Sequence, residues 1–261
     1  KALEYKPPIL SDYKILTLFV SRDEVAGLIR SNAFVRPRGM KWPREVEAEM
    51  LASLIALRKA MNEHPISHAV SFHGSIRRAE LFKAHNEAYS RVYPRQGRPG
   101  VFHVSGKTPT GTRAAVLKEY AESRKALITN ARCLTEGVDV PGIDCVLFAD
   151  PRRSAVDIVQ AVGRALRPAK GKKRGYVIVP VLTERGENPE DFWKSERFKE
   201  VLTTLRALAA NDDRIIEHFR LQQKGKQHGG SRLVEWDGTE QLSKSIDLSS
   251  FAKAIELKCW D

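Results

Sequence analysis

Cysteine is scarce in this chain. There are three, Cys133, Cys145 and Cys259, among 261 residues, and no two stand in a CxxC spacing. An odd count without paired spacing excludes a disulfide framework and offers no zinc site, so no metal ligands are expected and a reducing, cytoplasmic setting is. Long hydrophobic runs are also missing. None approaches the ~20 residues needed to cross a bilayer, so a membrane is not among the expected partners. The first residues carry charge and proline and lack the apolar stretch of a signal peptide. No internal repeat or long low-complexity stretch is present. Acidic charge is in deficit: 44 Lys and Arg stand against 32 Asp and Glu, a formal net charge of +12. That excess points to a polyanionic partner, nucleic acid above all. Hydrophobic residues make up 42% of the chain, enough to build a core and to exclude a disordered protein.

What is present alternates. Short apolar runs at Tyr13–Val20, His68–Phe72, Gly100–Ser105, Lys125–Thr129, Cys145–Phe148 and Tyr176–Val181 read as strands. Helical patterns occupy Arg44–Met61, Ile76–Tyr89, Gly111–Glu122 and Ala155–Leu166. This β-α-β alternation predicts an α/β fold, a parallel sheet with helices on both faces. The character changes after about Thr183. Pro189–Gln223 reads as one or two helices, with Trp193, Phe198, Leu202, Leu205, Leu208, Ile215, Ile216 and Phe219 as apolar positions. Lys224–Ser231 is a basic, glycine-rich linker. The expected division is therefore an α/β domain over 1–183 and a mainly helical C-terminal extension over 184–261. The last thirty residues are too mixed to assign.

The most informative helix contains Gln160-Ala161-Val162-Gly163-Arg164-Ala165-Leu166-Arg167-Pro168. At about 100° per residue, Gln160, Arg164 and Arg167 fall within a ~60° arc, opposite Ala155, Ile158, Val159, Val162 and Leu166. One face is buried; the other presents two arginines and a glutamine, with Gly163 clearing space beside them. Two guanidinium groups a helical turn apart repel unless an anion lies in front of them, and their planar forks suit phosphate oxygens. The same pattern also fits a solvated cationic face.

QAVGRALR resembles motif VI (QxxGRxxR) of superfamily 2 helicases. Upstream, Leu127–Asp144 reads LITNARCLTEGVDVPGID and resembles motif V, a strand ending in Thr before an EGxDxP turn. HAVSFHG at His68–Gly74 resembles motif IV. Val104-Ser105-Gly106-Lys107 resembles motif IVa. The resemblance implies the second RecA-like domain of such a helicase. On it, Arg164 and Arg167 would reach the γ-phosphate of ATP held by the other domain, with Gln160 and Gly163 lining the cleft. Gly137 and Asp139 would approach the nucleotide, Asp139 accepting from a ribose hydroxyl. Thr129, Ser105, Gly106 and Lys107 would face the nucleic-acid backbone.

The resemblance also says what the chain lacks. Gly106-Lys107-Thr108 is no P-loop, because position 101 is Val where GxxxxGK[ST] needs Gly, and Pro109 follows at once. Asp23-Glu24 follows an apolar run as a DExx box does, but only about 20 residues precede it. The first RecA-like domain, with its P-loop and most ligands to Mg2+, is therefore expected outside these residues, and the chain alone is expected not to hydrolyse ATP. The wording of motifs V and VI is most similar to bacterial and phage helicases of the restriction and DNA-processing kind, which favours DNA as partner. Two rivals stand beside this reading. One is a non-catalytic nucleic-acid-binding module, disfavoured by an intact Gln160, Arg164 and Arg167. The other is a DEAD-box RNA helicase, whose motif VI opens with His where this chain has Gln160.

Overall fold

Runs such as Cys145–Phe148 and Tyr176–Val179 are apolar without alternation, the pattern of strands buried on both faces of a parallel sheet. A computed structural model places them so. It describes residues 11–30, 44–131, 142–150, 155–165, 167–169, 172, 174–184, 187, 195–223 and 233–237. In chain order these form β1 (Tyr13–Ser21), α1 (Arg22–Arg30), α2 (Arg44–Glu63), β2 (His68–Phe72), α3 (Ile76–Val92), β3 (Gly100–Ser105), α4 (Thr110–Glu122), β4 (Ala126–Ala131), β5 (Cys145–Phe148), α5 (Ala155–Ala165), β6 (Gly175–Thr183), α6 (Glu196–Ala209), α7 (Asp213–Gln223) and β7 (Val234–Asp237). The seven strands make one sheet in the order β3-β4-β2-β5-β6-β1-β7, and every pairing is parallel.

The sheet divides the core in two. Leu16, Leu18, Leu127, Leu147 and Ile178 point to one side and pack with α1, α2 and α3 through Val25, Leu51, Leu54 and Phe82. Ile15, Val70, Ile128, Val146 and Val177 point to the other side and pack with α4, α5, α6 and α7 through Tyr120, Ile158, Leu205 and Ile215. Residues i and i+1 of each strand thus serve different layers, which is why neither face tolerates a polar run. This is the expected three-layer α/β, RecA-like architecture.

Two elements escaped the sequence pattern. Ser21 and Glu24 form a capping box that starts α1: the Glu24 amide donates to Ser21 Oγ at 3.2 Å, and the Ser21 amide donates to Glu24 Oε2 at 2.9 Å. The DExx-like pair is therefore a helix start, and Glu24 also holds Lys59 of α2 at 2.6 Å. The second element is β7, four residues that extend the sheet beside β1, with Ile15 pairing Val234 and Lys14 ion-paired to Glu235. Helices α6 and α7 share the core of the α5 side, α6 through Phe198, Leu202, Leu205 and Leu208 and α7 through Ile215.

A buried arginine ties the other side together. Arg58 of α2 is 2% exposed. It donates to Asn86 Oδ1 at 3.2 Å, Asn86 O at 2.9 Å and Ser90 Oγ at 2.8 Å, all on α3. Its guanidinium lies 5.3 Å from the centre of the Tyr89 ring. Loss of hydration pulls its pKa down to about 10, leaving it a cation at neutral pH.

Candidate functional site

In an all-parallel sheet the carboxyl ends of the strands collect along one edge, where chain reversals leave crevices for ligands. Here that edge gathers Ser105 at the end of β3, Asn130 in β4, His73 after β2 and Asp150 after β5. Ser105 opens a tight turn. Its amide donates to Thr108 Oγ1 at 3.0 Å, the Thr108 amide returns to Ser105 O at 3.0 Å, and Arg113 of α4 donates to Thr108 O at 3.1 Å. The turn leaves Gly106 and Lys107 exposed while Ser105 is buried. A side chain on Gly106 would meet no atom within 4 Å, so close packing does not account for glycine there.

Thr129 sits deeper than its neighbours on this edge. It is fully buried between Ser71 of β2 and His103 of β3. Its hydroxyl donates to Phe102 O at 3.3 Å and pairs with His103 Nδ1 at 2.9 Å. Burial lowers the His103 pKa, which keeps that ring neutral. His73 is buried as well, with Nε2 2.9 Å from Ser71 Oγ, its amide on Asn130 O and its ring 4.8 Å from Phe82.

The residues of the QxxGRxxR segment lie on and beyond α5. Ile158, Ala161 and Val162 are buried against the sheet. Gln160 is exposed on the opposite side, Gly163 is half-buried with no atom within 4 Å of a would-be Cβ, and Arg167 is exposed just past the helix end. The division expected for this helix is observed at Ile158, Val162 and Gln160. Arg164 lies in the last turn of α5, and its side chain is outside the described residues, as are Gly137 and Asp139 altogether. The described chain resumes at Gly142, whose φ of 83° is a left-handed turn that glycine adopts without strain before Ile143 and β5.

Two groups beside these were not singled out in the sequence. Asp150, at the end of β5, accepts from the Gly74 amide at 2.6 Å and ion-pairs with Arg78 of α3. It spans the crevice where β2 and β5 send their chains to opposite faces of the sheet. A charged residue directly after an apolar parallel strand was the available signal. Lys172 belongs to the basic run Lys170–Arg174, whose composition suits a solvated loop, yet its ammonium donates to Ile143 O at 2.6 Å and to Arg167 O at 3.1 Å. Burial pulls its pKa down to about 8, against the nearby charge of Asp144.

Residues 49–169 match the family model of the helicase conserved C-terminal domain. The chain carries the C-terminal RecA-like domain of a superfamily 2 helicase. A probable helicase of African swine fever virus is 32% identical to this helicase domain over 111 residues, 41% of this chain and 12% of the viral protein. The putative ATP-dependent helicase IRC3 of Saccharomyces cerevisiae is 27% identical over 96 residues, 37% of this chain and 14% of the yeast protein. The chain thus spans only about an eighth of the length of these two relatives. Among solved structures, the ATP-dependent Type ISP restriction-modification enzyme LlaBIII bound to DNA superposes with a TM-score of 0.74 at 24% identity, over 97% of this chain and 17% of that one. That likeness shows the fold of the helicase domain. No helix among the described residues is long and apolar enough to cross a membrane.

Proposed function

We propose that this helicase domain is the second motor domain of an ATP-dependent DNA translocase, of the kind that works in restriction-modification. The observation that carries the reading is the split of α5. Its apolar side is buried at Ile158, Ala161 and Val162, while Gln160 is exposed on the opposite side and Arg167 is exposed just past the helix end. A helix anchored in this way can present cations to a nucleotide held by a separate domain. Arg164 and Arg167 would face the γ-phosphate there and stabilise the charge that develops on its oxygens during transfer. Gln160 and Gly163 would line the same cleft, and Gly137 and Asp139 would approach the nucleotide from the motif V turn. The partner domain, a first RecA-like unit, would supply the P-loop and hold Mg2+.

Nucleic acid would run along the carboxyl edge of the sheet. Lys107 and the Gly106 amide, both exposed, would meet a strand phosphate, with Thr129 buried behind them and paired with His103. Such contacts position a strand without reading its sequence. The net charge of +12 and the DNA-bound Type ISP enzyme of the same fold support DNA as the partner.

The test is to substitute each arginine in the full-length gene product. Arg164→Ala and Arg167→Ala should each lower nucleic-acid-stimulated ATP turnover by about 10³-fold, the scale seen when an arginine finger is removed. Nucleotide affinity should change much less, because the side chains act on charge that develops in the transition state. Turnover near wild type in both variants would refute the assignment, and stimulation by RNA in preference to DNA would refute the choice of strand.

A further inference from the structure

The ammonium of Lys172 bridges two backbone carbonyls that lie far apart in sequence. Ile143 lies two residues before the start of β5, and Arg167 lies two residues beyond the end of α5. Between them runs the whole β5–α5 unit, so one side chain closes that unit at its base. Nearby, Asp144 is spent elsewhere: it accepts from the Ser67 amide and hydroxyl and from the His68 amide, fixing the start of β2. The base of β5 is therefore rigid, and Lys172 fastens the arginine-bearing end of α5 to it. Carbonyls past a helix end have no partner within the helix, and a cation there satisfies one of them.

Burial costs the ammonium hydration and lowers its pKa, an effect that the charge of Asp144 offsets only in part. What draws the side chain inward is the pair of carbonyls, one at each end of the β5–α5 unit.

We propose that Lys172 is a positioning residue for phosphoryl transfer, which sets Arg167 by holding its carbonyl against the base of β5. The proposal rests on the arginine reading given above. Geometry of this kind has narrow tolerance, since displacing a reacting group by about 1 Å can cost about 100-fold in rate.

Two measurements test it. In the full-length protein, Lys172→Met should lower kcat for ATP at least about 10-fold while KM stays within about twofold, the pattern of a lost transition-state contact. Lys172→Arg keeps the charge and two donors and should recover most of the loss. If Lys172 acts through Arg167, Lys172→Met should add nothing to Arg167→Ala in the double variant. In the chain described above, Lys172→Met should also speed amide hydrogen exchange over residues 164–167, and Lys172→Arg should restore protection. Where Lys172→Met fails to fold, Lys172→Gln carries the same comparisons.

The proposal is overturned if Arg167→Ala is slow but Lys172→Met turns over normally, if the two losses add, or if KM rises with kcat unchanged. The last result would make Lys172 a direct ligand contact. Normal turnover by Arg167→Ala would instead remove the arginine reading itself, and this proposal with it.

Discussion

Asp150 and Arg78 form an ion pair that joins the end of β5 to the first turn of α3, and the same carboxylate accepts from the Gly74 amide. Both side chains are largely shielded, at 10% and 17% exposure. One acid thereby locks together the chain leaving β2 and the chain leaving β5, on either side of the crevice at the carboxyl edge. A Cβ on Gly74 would come within 3.3 Å of that carboxylate, so glycine gives the acid its close approach to the backbone.

Asp150→Ala should destabilise the domain by ~2–4 kcal/mol, because it strands a shielded guanidinium and an amide at once. Denaturant midpoints at unchanged m-value measure this. The exchange Asp150→Arg with Arg78→Asp should not restore stability, because arginine cannot accept from the Gly74 amide. Full recovery in the exchanged variant would show the ion pair alone to be what matters.

Acid should unfold the protein through two carboxylates in particular. Burial pushes Asp212 up, but its hydrogen bonds with Arg214 and the Arg214 charge outweigh this and hold it below 3.8. Burial likewise pushes Glu24 up, and the Lys59 hydrogen bond and the Ser21 amide outweigh it and hold it below 4.5. A folded-state pKa below the unfolded value stabilises the fold above the unfolded value, and that stability is lost as pH falls through the folded one. Stability should therefore be level near neutrality and decline below about pH 4.5, within the ordinary carboxylate range. Asp212→Asn should flatten that decline and lower stability at neutral pH. An acid limb as steep as that of the parent protein would rule Asp212 out as a contributor.

Single-stranded DNA should bind the chain weakly and without sequence preference, with an affinity that falls steeply as salt rises. Lys107→Ala should weaken binding and reduce the slope of log K against log salt by about 0.7, the loss of one phosphate contact. Fluorescence anisotropy across a salt series reads both quantities. An unchanged slope would take Lys107 off the strand path.

Much of this protein was legible in one dimension. Apolar runs such as Cys145–Phe148 and Tyr176–Val179, set between helical patterns, determined a parallel α/β sheet, because only strands covered on both faces can be apolar at every position. The period of α5 determined its buried side at Ile158 and Val162 and its open side at Gln160, because side-chain direction on a helix follows directly from spacing. What stayed hidden depended on partners remote in sequence. The four residues of β7 carry no pattern of their own and become a strand only because β1 offers an unpaired edge. Thr129 reads as a strand-end hydroxyl, and only its neighbours His103 and Phe102 show that the hydroxyl is turned into the sheet. Lys172 looks like one more cation in a basic turn until Ile143, 29 residues earlier, supplies the carbonyl that draws it inward. Periodicity reports which way a side chain points. What it meets there is decided by tertiary packing, because hydrogen bonds are short-ranged and directional.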